Sequence, residues 1–363
     1  MRIDWRGAVG IALSALLLWW TLHDQPLGAV WNAVRSADWG LWLASTVAAT
    51  LMFPLRARRW RTILEPVAGR VPVAPLWRAT AIGMMVNNVA PARAGELARA
   101  YALTREVPRV SLAASFASLA VDRAFDAIVL LLLLFAAPLD PAFPRGSTLY
   151  GRSVPALASG GVLAVVVLMV GLYALVFFPA VVERVFRVLA RRLAPRLEAR
   201  GAEVLRAFAV GLGVLRSPGR FAAVFGWTVA HWLLAAWSLW LGFRAVGITA
   251  PFTAALFLNS VSSVATAVPS SPGFFGVFES VSKVVLQLYS VDPTLAVSWA
   301  LGYHVLTFIP ITVIGAVYAV RLGLGVRELT RGRPGVRPPA SGEPAEEPGV
   351  SQPGVSQPGV SRA

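Results

Sequence analysis

Residues 110–138 read VSLAASFASLAVDRAFDAIVLLLLLFAAP, a long apolar run that carries three charged side chains. An α-helix needs about 20 apolar residues to cross the hydrocarbon core of a bilayer. Runs of comparable length occupy residues 154–179 and 295–320. A transmembrane barrel would show short alternating segments instead. These runs therefore predict an all-α polytopic membrane protein.

The composition of the whole chain agrees with this class of protein. Hydrophobic residues make up 56% of the 363 residues and charged residues only 14%, whereas about a quarter of the residues in a soluble domain are charged. The net charge of +15 comes from arginines that cluster between apolar runs, where the positive-inside rule explains them without nucleic acid. The sequence contains no cysteine, which excludes disulfide and thiolate chemistry.

Charges in the loops between the apolar runs give the topology. Arg2 and Arg6 precede the first run, and the basic stretch LRARRWR (55–61) follows the second. Further arginines follow the last run. Because positive loops stay on the cytoplasmic side, we expect a plasma-membrane protein with both termini in the cytoplasm. The six predicted spans are residues 7–22, 39–55, 111–137, 154–179, 221–244 and 295–320.

Two further apolar segments are interrupted, and we expect them to enter the bilayer as re-entrant helical hairpins. Residues 75–105 contain NNVAPARAGELARAYAL (87–103) and have arginines on both flanks, so a hairpin entered from the cytoplasm keeps both flanks inside. Residues 251–290 break at 269–276 and must cross an even number of times. A second hairpin, entered from outside, meets this requirement, and two short full spans are the alternative.

The two interrupted segments lie in different halves of the chain and enter from opposite faces, which is typical of an inverted repeat with a midplane binding site. The halves are residues 7–179 and 221–321, joined by the basic amphipathic segment 180–220. We expect one membrane domain over residues 1–330 and a disordered polar tail over 331–363. The residues that interrupt the helices are Asn87, Pro91 and Gly95 in the first segment and Asn259, Pro269, Pro272, Gly273 and Gly276 in the second.

Ionisable side chains in the interrupted segments and in the third span form the candidate binding site. An ionised side chain at the centre of a spanning helix costs about 2.5–3.5 kcal/mol, and such residues are functional by default. Their spacing lets Glu96 pair with Arg99, and Glu279 with Lys283, on one helical face. We expect the arginines of the first segment to neutralise the aspartates of the third span. The predicted head-group-binding residues are Arg93, Glu96, Arg99, Asp122, Arg123, Asp126, Glu279 and Lys283. An ion-pair network that only holds helices together is the alternative.

Two of the three histidines, His231 and His304, lie within predicted spans. Such a histidine most often hydrogen-bonds to a neighbouring helix, and a proton relay is the less common alternative. The sequence has no HExxH pair, phosphate-binding loop or nucleophile elbow. We therefore expect no catalytic residue, no metal and no cofactor.

These motifs resemble the membrane domain of lysylphosphatidylglycerol synthases, a flippase-like domain that also occurs alone, over about residues 7–321. The resemblance rests on RARRWRTIL (56–64), NNVAPARAGELARAYAL (87–103), VDRAFD (121–126) and PSSPGFFGVFE (269–279). The family pattern N-x3-P-x3-GE-x2-R is matched by Asn87, Pro91, Gly95, Glu96 and Arg99. Asp122 stands where the family has glutamate, and Phe274 where it has a second glycine.

The resemblance implies a function in lipid transport. In the fused synthases the membrane half moves a modified lipid between leaflets, and a soluble half makes that lipid. No soluble catalytic domain follows Arg321 here, so the resemblance implies the transport half without the enzyme. We expect a flippase that holds a polar or phospho-lipid head group, anionic or of polyprenyl-phosphate type, in a charged midplane cavity. The alternatives are an integral-membrane enzyme acting on a lipid-linked substrate and a non-catalytic partner of a lipid- or glycan-modifying enzyme.

Overall fold

The computed structural model describes residues 5–90, 94–144, 146, 148–149, 152–193, 198, 202, 217–266 and 272–325. Helices account for nearly all of these ranges, so the predicted all-α polytopic class is confirmed. The helices are α1 (Trp5–Leu22), α2 (Leu27–Arg35), α3 (Trp39–Ala68), α4 (Val73–Val89), α5 (Gly95–Glu106), α6 (Leu112–Ala136), α7 (Val154–Phe177), α8 (Pro179–Leu193), α9 (Pro218–Ala245), α10 (Phe252–Ala265), α11 (Val277–Leu288) and α12 (Pro293–Arg321). Two short 3₁₀ helices (Ala137–Leu139 and Pro272–Phe274) and a pair of antiparallel two-residue strands (β1, Thr148–Leu149; β2, Arg152–Ser153) complete the described elements.

A helix lies at each of the six predicted spans. Among the described residues, α3, α9 and α12 are long and apolar enough to cross a membrane by length and composition alone, and α7 with α8 would make a fourth if that bent pair is one span. Helix α6 has 25 residues, but Asp122, Arg123 and Asp126 lie in its middle. Helix α8 leaves α7 at an angle of 117° and forms the start of the predicted segment 180–220. Most of the remainder of that segment, and the predicted tail, lie outside the described residues.

Helix α3 is longer than the sequence analysis predicts. It begins after Asp38, whose side chain caps the helix by accepting a hydrogen bond from the Leu41 N–H at 3.0 Å, and continues to Ala68. The helix therefore continues past the predicted end of this span, residue 55, and Arg56 and Arg59 are not surface charges. Both arginines are buried, because α6 supplies the carboxylates that neutralise them.

The first interrupted segment folds as two antiparallel helices, α4 and α5, which we call the first hairpin. Arg78 near its open end is paired with Glu106, and Asn87 near its tip bonds Gly95. Gly83 permits the close approach, since a Cβ there would lie 2.7 Å from the Gly95 carbonyl oxygen. At 1.5 Å per residue, helices of 17 and 12 residues are about 26 and 18 Å long, shorter than the roughly 30 Å hydrocarbon core.

The second interrupted segment contains α10 and α11, which we call the second hairpin. Phe143 packs edge-on against Phe257 near the start of α10 and against Tyr289 just after α11, so the open ends of the two helices are neighbours. The helices have 14 and 12 residues, or about 21 and 18 Å. Neither can cross a hydrocarbon core of about 30 Å, which favours the hairpin over two full spans.

Each hairpin packs against a helix from the other half of the chain. On α1, Thr21 Oγ1 lies 2.7 Å from Ser280 Oγ of the second hairpin. On the first hairpin, Asn88 donates a 2.7 Å hydrogen bond to Thr312 of α12. Gly315 lets α12 lie directly on the backbone of α4, because any side chain there would collide with that backbone. The two halves are therefore interlocked around the hairpins.

Helices α3 and α9 form a second contact between the halves. The hydroxyl groups of Ser45 and Ser238 each donate to the other residue's carbonyl oxygen at 2.7 Å. Beside them, Trp42, Phe243 and Trp299 fill an apolar core shared by α3, α9 and α12. This contact positions the charged residues of α3 against α6 and the first hairpin.

Candidate functional site

Charged side chains from three helices meet in one group, which we call the ionic cluster. Its members are Arg56 and Arg59 of α3, Glu96 and Arg99 of α5, and Asp122, Arg123 and Asp126 of α6. Arg59 lies at its centre and has no exposed surface. Its Nη2 lies 2.6 Å from Asp122 Oδ1, and its Nη1 lies 2.7 Å from Asp126 Oδ1. One arginine thus bridges two buried carboxylates, and pairing of this kind is how buried charges are tolerated.

Helix α9 completes the ionic cluster with neutral groups. Thr228 Oγ1 accepts a hydrogen bond from Arg59 Nη1 at 3.1 Å. The indole N–H of Trp232 donates to Asp126 Oδ1 at 3.0 Å. These bonds hold the central pair in place from the second half of the chain.

Arg99 and Arg56 are less fully paired than the central arginine. Arg99 Nη1 lies 3.2 Å from Asp122 Oδ2, and its guanidinium lies over the Trp60 ring, 4.0 Å from the centroid. Arg56 lies 3.6 Å from both Glu96 and Asp122. Both arginines are buried. The Nη2 and Nε atoms of Arg56 face Glu96 and Asp122 at 3.6 Å, which is too long for a hydrogen bond, and the Nε and Nη2 atoms of Arg99 have no hydrogen-bond partner among the described residues. Such N–H groups are donors for the oxygens of an anion.

The ionic cluster is accessible at one edge, where Glu96 and Arg123 are paired with each other. Their side chains are 33% and 45% exposed, whereas the aspartates behind them are buried. Arg123 also lies 3.3 Å from Asp126. Four guanidinium groups against three carboxylates leave the cluster with a net charge of +1. The accessible pair is itself neutral overall, so the excess positive charge belongs to the buried arginines behind it.

The sequence analysis predicts five of the seven members of this cluster and misses the two on α3. The positive-inside rule accounts for Arg56 and Arg59 in the sequence because they follow an apolar run. Their spacing of three residues places them on one helical face, but Arg58 and Arg61 have the same spacing and Arg58 is exposed, so only the packing shows which pair points inward. Arg93, a further predicted site residue, lies outside the described residues.

The asparagines of the first hairpin have distinct roles. Asn87 Oδ1 accepts a hydrogen bond from the Gly95 N–H at 2.9 Å and so caps the start of α5. Asn88 faces α12 and bonds Thr312. The predicted break residue Pro91 lies outside the described residues.

The break in the second hairpin is built differently. Asn259 lies inside α10, six residues before its end, and its Nδ2 donates to the Trp232 carbonyl oxygen at 3.4 Å, so it does not interrupt the helix. Pro272 and Gly273 form the 3₁₀ helix, and Gly276 is the N-cap of α11. Gly273 and Gly276 have φ angles of 70° and 86°, which glycine adopts without strain. Pro269 lies outside the described residues.

A cavity of about 240 Å³ lies between the two hairpins, and we call it the inter-hairpin cavity. Its lining includes Met84 and Asn88 from the first hairpin, Thr266 and Phe274 from the second, and His304 from α12. Most of the lining is apolar, so the expectation of a charged cavity is corrected: the charges lie beside the cavity. The sulfur of Met84 contacts the guanidinium of Arg56 at 4.0 Å, so Met84 both lines the cavity and contacts the ionic cluster.

Glu279 lies on the other side of the cavity and has no exposed surface. Its Oε2 accepts a hydrogen bond from the Gly276 N–H at 2.7 Å, and its Oε1 lies 2.6 Å from His304 Nδ1. His304 Nε2 lies 2.8 Å from the Gly273 carbonyl oxygen. Glu279 and His304 therefore link α11, α12 and the 3₁₀ helix at the cavity wall.

Lys283 does not pair with Glu279, although the sequence spacing predicted that pair. Its Nζ instead lies 2.9 Å from Asp24 Oδ1, in the loop after α1, and 5.3 Å from the centroid of the Trp20 ring. Hydrogen bonds from Gln25 and then from Lys283 lower the pKa of Asp24 to about 2. The lysine thus ties the second hairpin to α1 and belongs to a different network from the ionic cluster.

Within the described ranges, no group of three His, Asp or Glu side chains is placed to hold a metal ion.

Comparison with known proteins gives one family and several relatives. The family described as the lysylphosphatidylglycerol synthase TM region matches residues 7–315. A UPF0104 membrane protein of Pyrococcus horikoshii is 19% identical over 86% of this chain and 95% of its own length. A UPF0104 membrane protein of Methanothermobacter thermautotrophicus is 24% identical over 85% of this chain and 91% of its own length. The glycosyltransferase AglD of Haloferax volcanii is 36% identical over 124 residues, which are 33% of this chain but only 19% of AglD. No solved structure matches the chain.

Proposed function

The chain belongs to the family of the lysylphosphatidylglycerol synthase transmembrane region, and from this premise we propose that it binds the head group of a membrane lipid and moves it between leaflets. The head group is anionic, of phospholipid or polyprenyl-phosphate type. The protein acts in the plasma membrane with both termini in the cytoplasm, as the arginine-rich loops favour. It carries out no covalent chemistry on the lipid.

The ionic cluster is the observation that carries this proposal. Intramembrane charges mark substrate pathways by default. A cluster used only to hold helices together would need no excess charge, yet this one has one guanidinium more than its carboxylates neutralise. The Nε and Nη2 groups of Arg99 are further donors with no hydrogen-bond partner among the described residues, and those of Arg56 have only ion-pair contacts at 3.6 Å. An anionic head group would supply both the missing charge and the missing acceptors.

The path of the head group follows from the exposed edge. Glu96 and Arg123 are exposed, so a head group enters by replacing Glu96 as a partner of Arg123. It then passes Met84 into the inter-hairpin cavity. That cavity, about 240 Å³, is smaller than the roughly 300–1,000 Å³ of sites that enclose whole ligands. It therefore takes a head group while the acyl chains stay in the bilayer.

Leaflet exchange in reconstituted vesicles tests the proposal. The protein is inserted into vesicles that contain a fluorescent anionic phospholipid, a polyprenyl phosphate or a zwitterionic lipid, and loss of inner-leaflet label is followed. We expect the wild-type protein to accelerate exchange of the anionic lipids more than that of the zwitterionic lipid. Arg123→Gln should slow the exchange by about tenfold or more, because one lost charged hydrogen bond costs about 1.5–3 kcal/mol.

Arg78→Gln is the matched control for this variant. It removes an arginine that pairs with Glu106 in the same hairpin but outside the ionic cluster. We expect it to keep wild-type exchange. Equal exchange in protein-containing and empty vesicles would refute the proposed function.

The match to AglD favours a second candidate, action on a lipid-linked glycan. The matched relative is a glycosyltransferase, and the similar region is a third of this chain. Under this candidate the protein either transfers sugar from a polyprenyl-phosphate donor or assists an enzyme that does. Formation of a glycosylated product from such a donor by the purified protein would select the enzyme. Co-purification with a lipid- or glycan-modifying enzyme, without lipid movement by the protein alone, would select the partner.

A further inference from the structure

Glu279 and His304 form a titratable pair at the wall of the inter-hairpin cavity, outside the ionic cluster. We propose that this pair is a binding site for one exchangeable proton, and that proton binding is coupled to lipid movement. The coupling rests on the proposed function, whereas the proton site stands on its own geometry.

Hydrogen-bond counting assigns the proton. His304 Nε2 faces the Gly273 carbonyl oxygen at 2.8 Å, and a carbonyl oxygen only accepts, so Nε2 carries a hydrogen. A neutral imidazole has one N–H and one lone pair, so Nδ1 would then be a lone pair facing the Glu279 carboxylate at 2.6 Å. That contact requires a second proton between the two atoms. This second proton resides on either His304 or Glu279. In both cases the pair holds one proton more than a neutral histidine beside an ionised carboxylate.

The pair lies in apolar surroundings, so its net charge, and hence the presence of this proton, strongly affects its free energy. Glu279 is fully buried, and the His304 ring is stacked on Phe275 at 4.2 Å and lies edge-on to Phe278 at 5.2 Å. With the proton the pair is neutral overall, and without it the pair carries one negative charge in an apolar site, which is costly.

Neighbouring groups do not supply a compensating charge. Among the described residues, the ionisable neighbours on α11 and α12 are Lys283, which binds Asp24, and Tyr303, whose hydroxyl lies 3.0 Å from Ser238 Oγ. The facing residues of α1, α3 and α4 are uncharged: Ser14, Thr21, Met52, Phe53 and Asn88. When the proton is released, the negative charge that remains must therefore be accommodated by a change in the hydrogen bonds of Glu279 and His304 themselves.

Proton release would break the hydrogen bond between His304 and the Gly273 carbonyl oxygen, which holds part of the cavity wall in place. After proton release the imidazole has a single N–H and cannot donate to both Glu279 and Gly273. Losing the second bond frees the 3₁₀ helix Pro272–Phe274, which lines the cavity through Gly273 and Phe274. Proton occupancy and cavity shape are thus linked, which allows a proton gradient to drive head-group movement.

Solid-state NMR of the full chain in lipid bilayers, with ¹⁵N-labelled histidine, tests the proton site directly. The chain has only three histidines, and His304→Gln identifies the relevant signal by removing it. We expect His304 Nε2 to be protonated and Nδ1 to share a second proton with Glu279, and we expect that second proton to be lost in a single step as the pH is raised. A proton that stays bound throughout, or an Nδ1 lone pair with no proton at any pH, would overturn the assignment.

Glu279→Gln is the informative variant because a glutamine amide can donate to Nδ1. His304 should then stay neutral, with its proton on Nε2, and the pH step should disappear. NMR detects the loss of this pH step directly, so the test does not require a transport activity. His23→Gln, in an exposed loop, is the control and should retain the step; loss of the step there as well would contradict the proposal.

Vesicles with an imposed pH gradient test the coupling. Wild-type exchange of a labelled anionic lipid should be faster with the gradient than without it, and Glu279→Gln should give the same rate in both conditions. A pH step in NMR together with gradient-independent wild-type exchange would overturn the coupling. Absence of wild-type exchange in every condition would instead count against the proposed function, and the NMR result would still decide the proton site.

Discussion

Arg58 and Arg59 are adjacent in sequence and have opposite environments. Arg58 is exposed and lies 5.7 Å from the Trp227 ring centroid, whereas Arg59 is completely buried between Asp122 and Asp126. Consecutive residues on a helix point in different directions. The same basic stretch therefore provides both a surface charge of the positive-inside kind and the centre of the candidate site.

Replacing Arg59 should be severely destabilising. Arg59→Gln leaves two carboxylates buried without their main counter-charge, and breaking a buried ion pair costs about 3–5 kcal/mol. Thermal or denaturant unfolding in detergent measures the loss. Arg58→Gln is the control and should change the stability by no more than about 0.5 kcal/mol, as is usual at exposed sites. Similar losses from the two variants would contradict the assigned roles.

The lowered pKa of Asp24 gives a pH-dependent prediction. Its contribution to stability is fully present above the ordinary carboxyl pKa of 3.8 and is lost as the pH falls through about 2. Because the hydrogen bond from Gln25 is the largest cause of the shift, Gln25→Ala should raise the pKa of Asp24 toward its ordinary value. A ¹³C NMR titration of the Asp24 carboxyl measures this directly. An unchanged pKa would mean that Lys283 alone holds the carboxylate ionised.

At the scale of elements, the first hairpin depends on the close contact of α4 with α5. Asparagine, proline and glycine in residues 87–95 predicted an interruption, and α4 indeed ends at Val89 and α5 begins at Gly95. The sequence did not indicate that Gly83, in the middle of α4, would be the contact point. That role depends on which helix lies against it.

Gly83→Ala should therefore destabilise the first hairpin. The added methyl group would lie 2.7 Å from the Gly95 carbonyl oxygen and 2.8 Å from Arg99 Cβ, and overpacking of this kind costs about 1–3 kcal/mol. Gly171→Ala in α7 is the matched control, since nothing lies within 4 Å of a Cβ there. The control should be neutral or stabilising by up to about 1 kcal/mol. Unfolding midpoints in detergent compare the two, and a stable Gly83→Ala variant would refute the close contact.

At the scale of the whole molecule, the two halves meet in two different ways. The α3–α9 contact is closed by the reciprocal serine bonds and a tryptophan-rich core. The second hairpin instead meets α1 through the Thr21–Ser280 hydroxyl contact and the Lys283–Asp24 ion pair. We expect lipid exchange to displace the second hairpin, whose contact with α1 is polar, while the α3–α9 contact stays in place.

Cysteine pairs distinguish these two contacts, because the chain has no cysteine of its own. The Thr21 and Ser280 hydroxyl oxygens are 2.7 Å apart, and those of Ser45 and Ser238 are 3.5 Å apart, so the side chains of each pair are in reach of each other. We expect oxidation of the Thr21→Cys/Ser280→Cys protein to stop lipid exchange and reduction to restore it. The Ser45→Cys/Ser238→Cys protein should be insensitive to oxidation. Unimpaired exchange with the first disulfide formed would show that the second hairpin does not move against α1.

The sequence by itself determined the class of protein, a helix at each predicted span, both interruptions and most of the charged residues of the ionic cluster. These follow from local properties: hydrophobic run length, the conformational limits of proline and glycine, and the cost of charge in a bilayer. The inverted repeat and the disordered tail stay predictions.

Only the tertiary structure decided which charges are partners. Arg59 pairs with aspartates on α6, Lys283 with Asp24 in the loop after α1, and Glu279 with His304 on α12. Spacing along a helix limits only which residues share a face, and Glu279 and Lys283 share one without pairing. The partner is set by whichever side chain the neighbouring helix presents, and that depends on how distant segments pack.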